Sequence, residues 1–436
     1  MELGIFWRWW TAGTTSGLGS AVGAVALPLT ALGVLDASAF EMGLIAAASY
    51  VAWIVLGLPA GVIVQRLPLR GTQIAADLAR AAAVASIPLA WWAGRLTVAQ
   101  LIVVALVTSF ANVLFDVANS TFLPEIVNRE QLQSRNSLTS ATHASTQLGG
   151  PAVGGLAVQL LGAVPTLLVD SVSYLVSAAL LRTLPARRAE VPRTLPARRA
   201  ALPRTLPARR AEVPQRLPPM SAMIREGWSF VVRHPAMGPG MWAATAMNFV
   251  CGAQLALFPL YLVRDLHAPA GLVGVLLAAD GAGTLIGAAL TTRITTTLGT
   301  ARGLIIAGLV SAAGAFVLPW GAGRPAYAIF ALGNVIFAGG VVVLSVTTRT
   351  YRQIASPPAL LSRVMATVRF VSWGAIPVGG MVAGALAGPL GARATLVIVA
   401  GIAVLAPVTL LLSPVRRVRD LADLEVSARS RQAAVR

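Results

Sequence analysis

The chain has 436 residues, of which 56% are hydrophobic and 11% charged. A soluble domain carries about a quarter of its residues as charges, so this composition excludes a water-covered globular surface. The formal charge of +18 invites a nucleic-acid partner, but the 34 basic residues, all arginines, sit mostly in loops between apolar runs and in the last residues, not on one folded face, which argues against it.

About six apolar runs precede an Arg/Pro stretch at 182–219 and about six follow it, each near the roughly 20 residues a helix needs to cross the hydrocarbon core. The first half reads as spans 6–32, 42–64, 72–94, 98–122, 138–161 and 164–181. The second half reads as 237–263, 271–294, 303–321, 327–348, 364–388 and 394–412. The expected fold is an all-α membrane protein of twelve transmembrane helices in two pseudo-symmetric six-helix bundles. Residues 1–181 form one bundle, 182–219 a linker, 220–236 an interfacial amphipathic helix, 237–413 the second bundle and 414–436 a basic tail. The first span lacks a cleavage site and reads as a retained helix.

Arginines fix the orientation, because cytoplasmic loops carry their excess. Arg66 and Arg70 follow span 2, Arg129 and Arg135 span 4, Arg293 and Arg302 span 8, Arg349, Arg352 and Arg363 span 10, and Arg416, Arg417 and Arg419 span 12. The alternate loops hold little, so both termini should lie in the cytoplasm and the chain in the inner (plasma) membrane. The 182–219 stretch repeats Arg-Thr-Leu-Pro-Ala-Arg-Arg-Ala from Arg182, Arg193 and Arg204. It reads as a proline-interrupted spacer, with anionic lipid headgroups as possible partners.

Span 5 contains Gly149-Gly150-Pro151-Ala152-Val153-Gly154-Gly155, and span 11 echoes it with Gly374, Pro377, Gly379 and Gly380. Small residues allow close helix approach, proline kinks the rod, and matched interruptions in two halves are the mark of an internally repeated transporter. With these motifs the chain resembles the major facilitator superfamily, most closely its macrolide-efflux-like and enterobactin-exporter-like branch. Asp77-Leu78-Ala79-Arg80, Phe115-Asp116-Val117-Ala118 with Leu123-Pro124, Asp170-Ser171-Val172-Ser173-Tyr174, and Gln353 with Arg363-Val364 extend the likeness over nearly the whole chain. The resemblance implies that Gly150, Pro151, Gly154 and Gly155 are the exporter-associated motif of the fifth helix. It also implies a cytoplasmic gate built from Gly61, Arg66, Arg70, Asp77, Arg80 and Asp116. Gln65 stands where the family has an aspartate in the loop after span 2, which removes one charge from that gate.

Acids inside the membrane are functional candidates, because an unpaired charge there is costly. Asp77 and Arg80 share a helix face and read as a structural pair at the inner gate, with Asp116 at the same level. Asp280 lies near mid-membrane. It is open to binding a cationic substrate, accepting a proton, or both in turn, or else to pairing with an arginine such as Arg369. Asp170 suits either an outer gate or structural pairing. His143, Asn248, Gln254 and Asn334 are further candidates for the pathway, although a lone helix histidine more often bonds across the bundle. Trp9, Trp10, Trp91, Trp92 and Trp320 read as headgroup anchors.

No metal pattern, disulfide partner for Cys251, or phosphate-binding loop for ATP exists in the sequence. The expected function is therefore a monomeric secondary transporter without cofactors, exporting small amphipathic molecules by proton antiport. Importer or uniporter is the first rival, a non-transporting scaffold another. An enzyme would need a nucleophile and base or a metal set, which the sequence does not contain.

Overall fold

The computed structural model describes residues 2–56, 67–127, 129–184, 220–321, 323–357 and 360–424, and among these it is helical throughout, without strands. The helices are α1 (Glu2–Gly33), α2 (Ala39–Leu56), α3 (Leu69–Trp92), α4 (Val98–Ile126), α5 (Arg129–Leu161), α6 (Ala163–Arg182) and α7 (Met220–Arg233). They continue with α8 (Met237–Leu260), α9 (Ala270–Leu298), α10 (Thr300–Val317), α11 (Pro325–Ala355), α12 (Leu361–Leu390), α13 (Ala392–Ala403) and α14 (Leu405–Leu411). α5 runs unbroken past Pro151 and α12 past Pro377.

Among the described residues, eleven helical segments are long and apolar enough to cross a membrane, α13 and α14 together making the last. α5 is long enough but too polar in its first half to join them. It takes its place by packing, between α1 and α9. With α5 the count reaches the expected twelve.

The same helix pairs form in both halves. α1 packs on α5 and α6, α2 on α4, and α3 on α4 and α6. Correspondingly, α8 packs on α12 and on α13–α14, α9 on α11, and α10 on α11 and on α13–α14. The halves meet along two further pairs, α2 with α12 and α5 with α9, which the same pseudo-symmetry exchanges.

Both seams rest on glycine. A β-carbon at Gly43 would sit 2.5 Å from the Gly380 carbonyl and 3.1 Å from Gly384 Cα, and one at Gly155 would sit 2.7 Å from Gly274 Cα. Lipid offers no hydrophobic drive for helices to associate, so backbone contact of this kind supplies the cohesion. The motif of α5 thus has two jobs. Gly150 and Gly154 lie on Ala21 and Val22 of α1 within the half, and Gly155 lies on α9 across it. The echo in α12 does the same, with Gly379 against Phe249 of α8 and Gly380 and Gly384 against α2.

Both seams approach one end of the bundle, opposite the termini, here called the far end. Arg264 Nη2 closes it by donating to Asp36 Oδ1 at 2.5 Å and to the Ala37 carbonyl at 2.9 Å, from one half to the other. Asp36 and His267, at the tips of the equivalent α1–α2 and α8–α9 loops, are the described non-glycine residues with left-handed backbone (φ 47° and 53°), a conformation aspartate and histidine tolerate. At the terminal end, residues after α14 fold back on α10, where the Asp420 carboxylate accepts from Thr300 N at 2.8 Å and so caps that helix. α7 buries Val231 against Met237, Met241, Val364 and Val368, and Glu226 pairs with Arg363. The expected amphipathic segment is therefore docked on α8 and α12. The repeat at 185–219 and residues 425–436 lie outside the described residues.

Replacing Gly155 by valine should push a side chain into the Gly274 backbone and cost about 1–3 kcal/mol, the usual range for overpacking. A lowered midpoint in thermal melting of the detergent-purified protein checks this. Gly388→Val, at a position with nothing within 4 Å, should leave the midpoint unchanged.

Candidate functional site

Between the halves the helices present a set of polar and aromatic side chains to one space. α2 contributes Tyr50 and Trp53, α4 Asp116, α5 His143, α8 Cys251, α9 Asp280, and α12 Arg369 and Trp373. Asp116 is exposed and within electrostatic reach of Arg80, His143 and Arg369, which places side chains of α4, α5 and α12 around it. Asp280 is likewise exposed. It acts electrostatically on Tyr50 across the seam and on Cys251 of its own half, so it faces the central space and not the lipid. Its neighbour Gly281 packs so closely on α5 that a β-carbon would lie 2.8 Å from Leu148 Cα. The carboxyl therefore stands at the α5–α9 seam.

The cations are distributed unequally. The Arg369 guanidinium lies 4.4 Å from the Trp373 ring and 5.1 Å from that of Trp53, and the two indoles meet edge to face at 5.2 Å. Cation–π contact of this kind holds a charge at a seam between two halves. Arg369 is within reach of Asp116. Asp280 has no ion-pair partner among the described residues, so the arginine offered by sequence as its partner serves the other acid. Trp53 and Trp373 escaped sequence reading. The available signal was two tryptophans away from span ends, one of them a helical turn from Arg369.

The four expected gate residues that are described, Arg70, Asp77, Arg80 and Asp116, do not form one cluster. Asp77 and Arg80 pair inside the first bundle, where Asp77 is fully buried. Ser177 Oγ donates to the Asp77 carboxylate at 2.7 Å and Ser16 Oγ at 3.5 Å, while Arg80 Nη1 donates to Asn112 Oδ1 at 2.7 Å. The Arg80 guanidinium also stacks on Phe115 and Tyr174, 4.4 Å from each ring. The pair thereby ties α3 to α1, α4 and α6. Arg70 donates to the carbonyls of Leu181 (2.9 Å) and Arg182 (2.5 Å) and closes the C-terminus of α6. Asp116 faces the central space. Gly61, Gln65 and Arg66 lie outside the described residues.

Asn248 is half-buried on α8. Asn334 is 1% exposed, and both atoms of its amide lack partners among the described residues, so it sits in the second bundle's core and not on the accessible wall. Gln254 is buried as well. Asp170 is buried between α6 and α1, away from the far-end loops. Of the expected anchors, Trp91, Trp92 and Trp320 are exposed. Trp9 is buried in a core cluster with Phe6, Phe115 and Leu181, and Trp10 donates to Thr142 Oγ1 of α5 at 3.2 Å.

Truncating Asp77 to alanine should strand Arg80 as a buried charge, at a cost of about 3–5 kcal/mol. The double variant Asp77→Asn/Arg80→Gln should lose less than the single one. Chemical unfolding of the purified protein in detergent decides this, and equal losses would assign the pair no coupling.

Residues 1–435 match the family model described as transmembrane secretion effector, MFS_3. Over 186 residues the chain is 30% identical to the multidrug efflux pump Tap of Mycolicibacterium fortuitum, covering 42% of this chain and 45% of that relative, so the match spans less than half of either. It is 26% identical over 342 residues to the MFS-type transporter YfiS of Bacillus subtilis (strain 168), covering 76% of this chain and 74% of the relative. Among solved structures, a mutant of the nucleoside transporter NupG superposes with a TM-score of 0.72 at 11% identity over 93% of this chain and 99% of that one. A bacterial homologue of the iron transporter ferroportin in an inward-facing state gives 0.69 at 13% identity over 94% and 98%. At these identities the structural likeness shows the fold. The family and these neighbours are transporters and not enzymes. The chain is thus a membrane transporter of the major facilitator type and belongs to the transmembrane secretion effector family.

Proposed function

We propose that the protein exports small amphipathic molecules bearing a positive charge, in exchange for protons, by alternating access between its two bundles. The observation that carries this reading is Asp280, an acid at membrane depth that is exposed to the central space and has no counter-ion among the described residues. A carboxylate in that position is expensive unless it serves a ligand, and a cation or a proton satisfies it equally. The neighbouring indoles of Trp53 and Trp373 suit an apolar body attached to such a cation. The efflux activity in the name of the relative Tap supports the direction.

In this reading the working halves are residues 1–181 and 237–413, with Asp280, Asn248, Asn334 and His143 serving substrate or coupling. Asn334 would enter the pathway in the alternate state. The arginine-rich terminal end faces the cytoplasm of a cell whose plasma membrane holds the protein as a monomer, and anionic lipids meet the linker. The closed far end is then the outer one, and the state is open inward. Import or uniport of a small solute is the second reading, favoured by Gln65, which leaves the family's charged gate one acid short.

The test uses vesicles containing the purified protein, an imposed pH gradient and a fluorescent lipophilic cation. Wild type should drive the cation against its gradient. Asp280→Asn should reduce the rate by about tenfold or more, as expected from losing one charge-assisted contact of about 1.5–3 kcal/mol. Equal driven transport by both would remove Asp280 from the mechanism.

A further inference from the structure

The first bundle encloses a second acid that the central space does not use. Asp170 on α6 is 4% exposed, and its Oδ1 has no hydrogen-bond partner among the described residues. Its place is made by α1. A β-carbon at Gly23 would collide with the Asp170 carboxyl, and one at Gly19 would collide with Ser173 and come within 3.0 Å of Asp170 Oδ1. Two glycines one turn apart thus open a slot for one carboxyl between tightly packed helices.

The charges around this slot do not balance. From α3, Arg80 is the arginine within electrostatic reach of Asp170. From α6, the Tyr174 hydroxyl is within hydrogen-bond reach of the carboxyl and also shares a 2.8 Å hydrogen bond with Ser20 Oγ of α1, which still leaves Asp170 Oδ1 without a partner among the described residues. α1 itself presents Gly19, Ser20 and Gly23, none of which ionises. On α4, Asp116 also draws on Arg80, but it has His143 of α5 and Arg369 of α12 as well. Arg80 is already paired with Asp77, whose oxygens take three donors. One cation therefore stands against two buried acids. A second full negative charge with an unfilled acceptor is too costly in a bundle interior, and a proton on the carboxyl removes it. Asp77 has the more donors of the two, so the proton belongs on Asp170.

We propose that Asp170 is a proton-binding site within the first bundle, separate from the substrate space, and that its proton is the one exchanged during export. This rests on the exchanger reading above and goes beyond it, because it places the coupling proton on α6 and leaves Asp280 for the substrate cation. The proton enters as H⁺ from one side of the membrane onto the Asp170 carboxylate and leaves as H⁺ to the other. Arg80, one side chain away across the Tyr174 ring, offers the counter-charge once the proton is gone.

Infrared spectroscopy of the full chain in lipid vesicles reads this directly. Wild type should show the carbonyl band of a buried protonated carboxyl. The band should vanish in Asp170→Asn, shift in Asp170→Glu, and persist in Asp280→Asn. In vesicles, Asp170→Asn should lose pH-driven uphill movement of the fluorescent cation by about tenfold or more, the scale of one charge-assisted contact, while cation-for-cation exchange, which moves no net proton, persists. A band unchanged in Asp170→Asn, driven transport undiminished in that variant, or exchange lost together with driven transport would each overturn the proposal. If Asp170→Asn does not fold, Asp170→Glu decides it, since an unshifted band contradicts the assignment. If wild type moves no cation under a pH gradient, the exchanger reading fails on its own, and the band still decides whether Asp170 holds a proton.

Discussion

Backbone-to-backbone contact at two glycine seams is the constraint on which the rest of this structure depends. In lipid, apolar side chains gain nothing by leaving their surroundings, so two bundles of apolar helices have no reason to stay together unless they pack closely. Gly43 with Gly380 and Gly384, and Gly155 with Gly274, bring the α2–α12 and α5–α9 pairs near enough for dispersion and polar backbone contact to do so. Both seams approach the far end, where Arg264 and Asp36 add a charged tie. The two joints are related by the same pseudo-symmetry that relates the halves. A pair of related joints at one end leaves the other end free to part, which is the geometry a rocking transporter needs.

Charge inside the membrane divides the polar residues into three kinds. Asp77 and Arg80 satisfy each other and recruit Ser16, Ser177 and Asn112, so they hold four helices together. Asp116 shares its surroundings with Arg80, His143 and Arg369 at the wall of the central space. Asp280 and Asp170 stand without ion-pair partners among the described residues, one exposed to the central space and one sealed between α1 and α6. The second bundle has no counterpart to this ionic core among the described residues. Its interior is built on Phe258, Phe330 and glycine contacts such as Gly287 on Gly339. The halves share a fold and differ in chemistry.

Much of the fold was legible because crossing a bilayer demands long apolar runs, and arginine placement numbered them. α5 shows the limit. Its polar first half weakens the apolar signal, and only its arginine-bounded position and the Gly-Pro motif marked it. The pairing of Asp77 with Arg80 followed from their spacing on one helix face. The separation of Asp116 from that pair did not, since rotation of α4 is set by packing. Arg369, offered as one alternative partner of Asp280, lies instead against Trp53 and Trp373, and that placement was not legible because the two indoles come from two different helices. Trp9 and Trp10 sit near a span end and looked like headgroup anchors, yet Trp9 is buried in the first bundle's core and Trp10 bonds to α5. The Gly19–Gly23 slot for Asp170 is invisible in a membrane sequence already rich in glycine.

The direct test of this account is to lock the far end. Cysteines placed at Asp36 and Arg264, in a chain also carrying Cys251→Ser, can be joined by a cleavable bismaleimide. The account predicts that transport of the lipophilic cation stops while the link holds and returns when it is cut. Undiminished transport with the link fully formed would mean that the far end does not open, and that the two glycine seams are static joints.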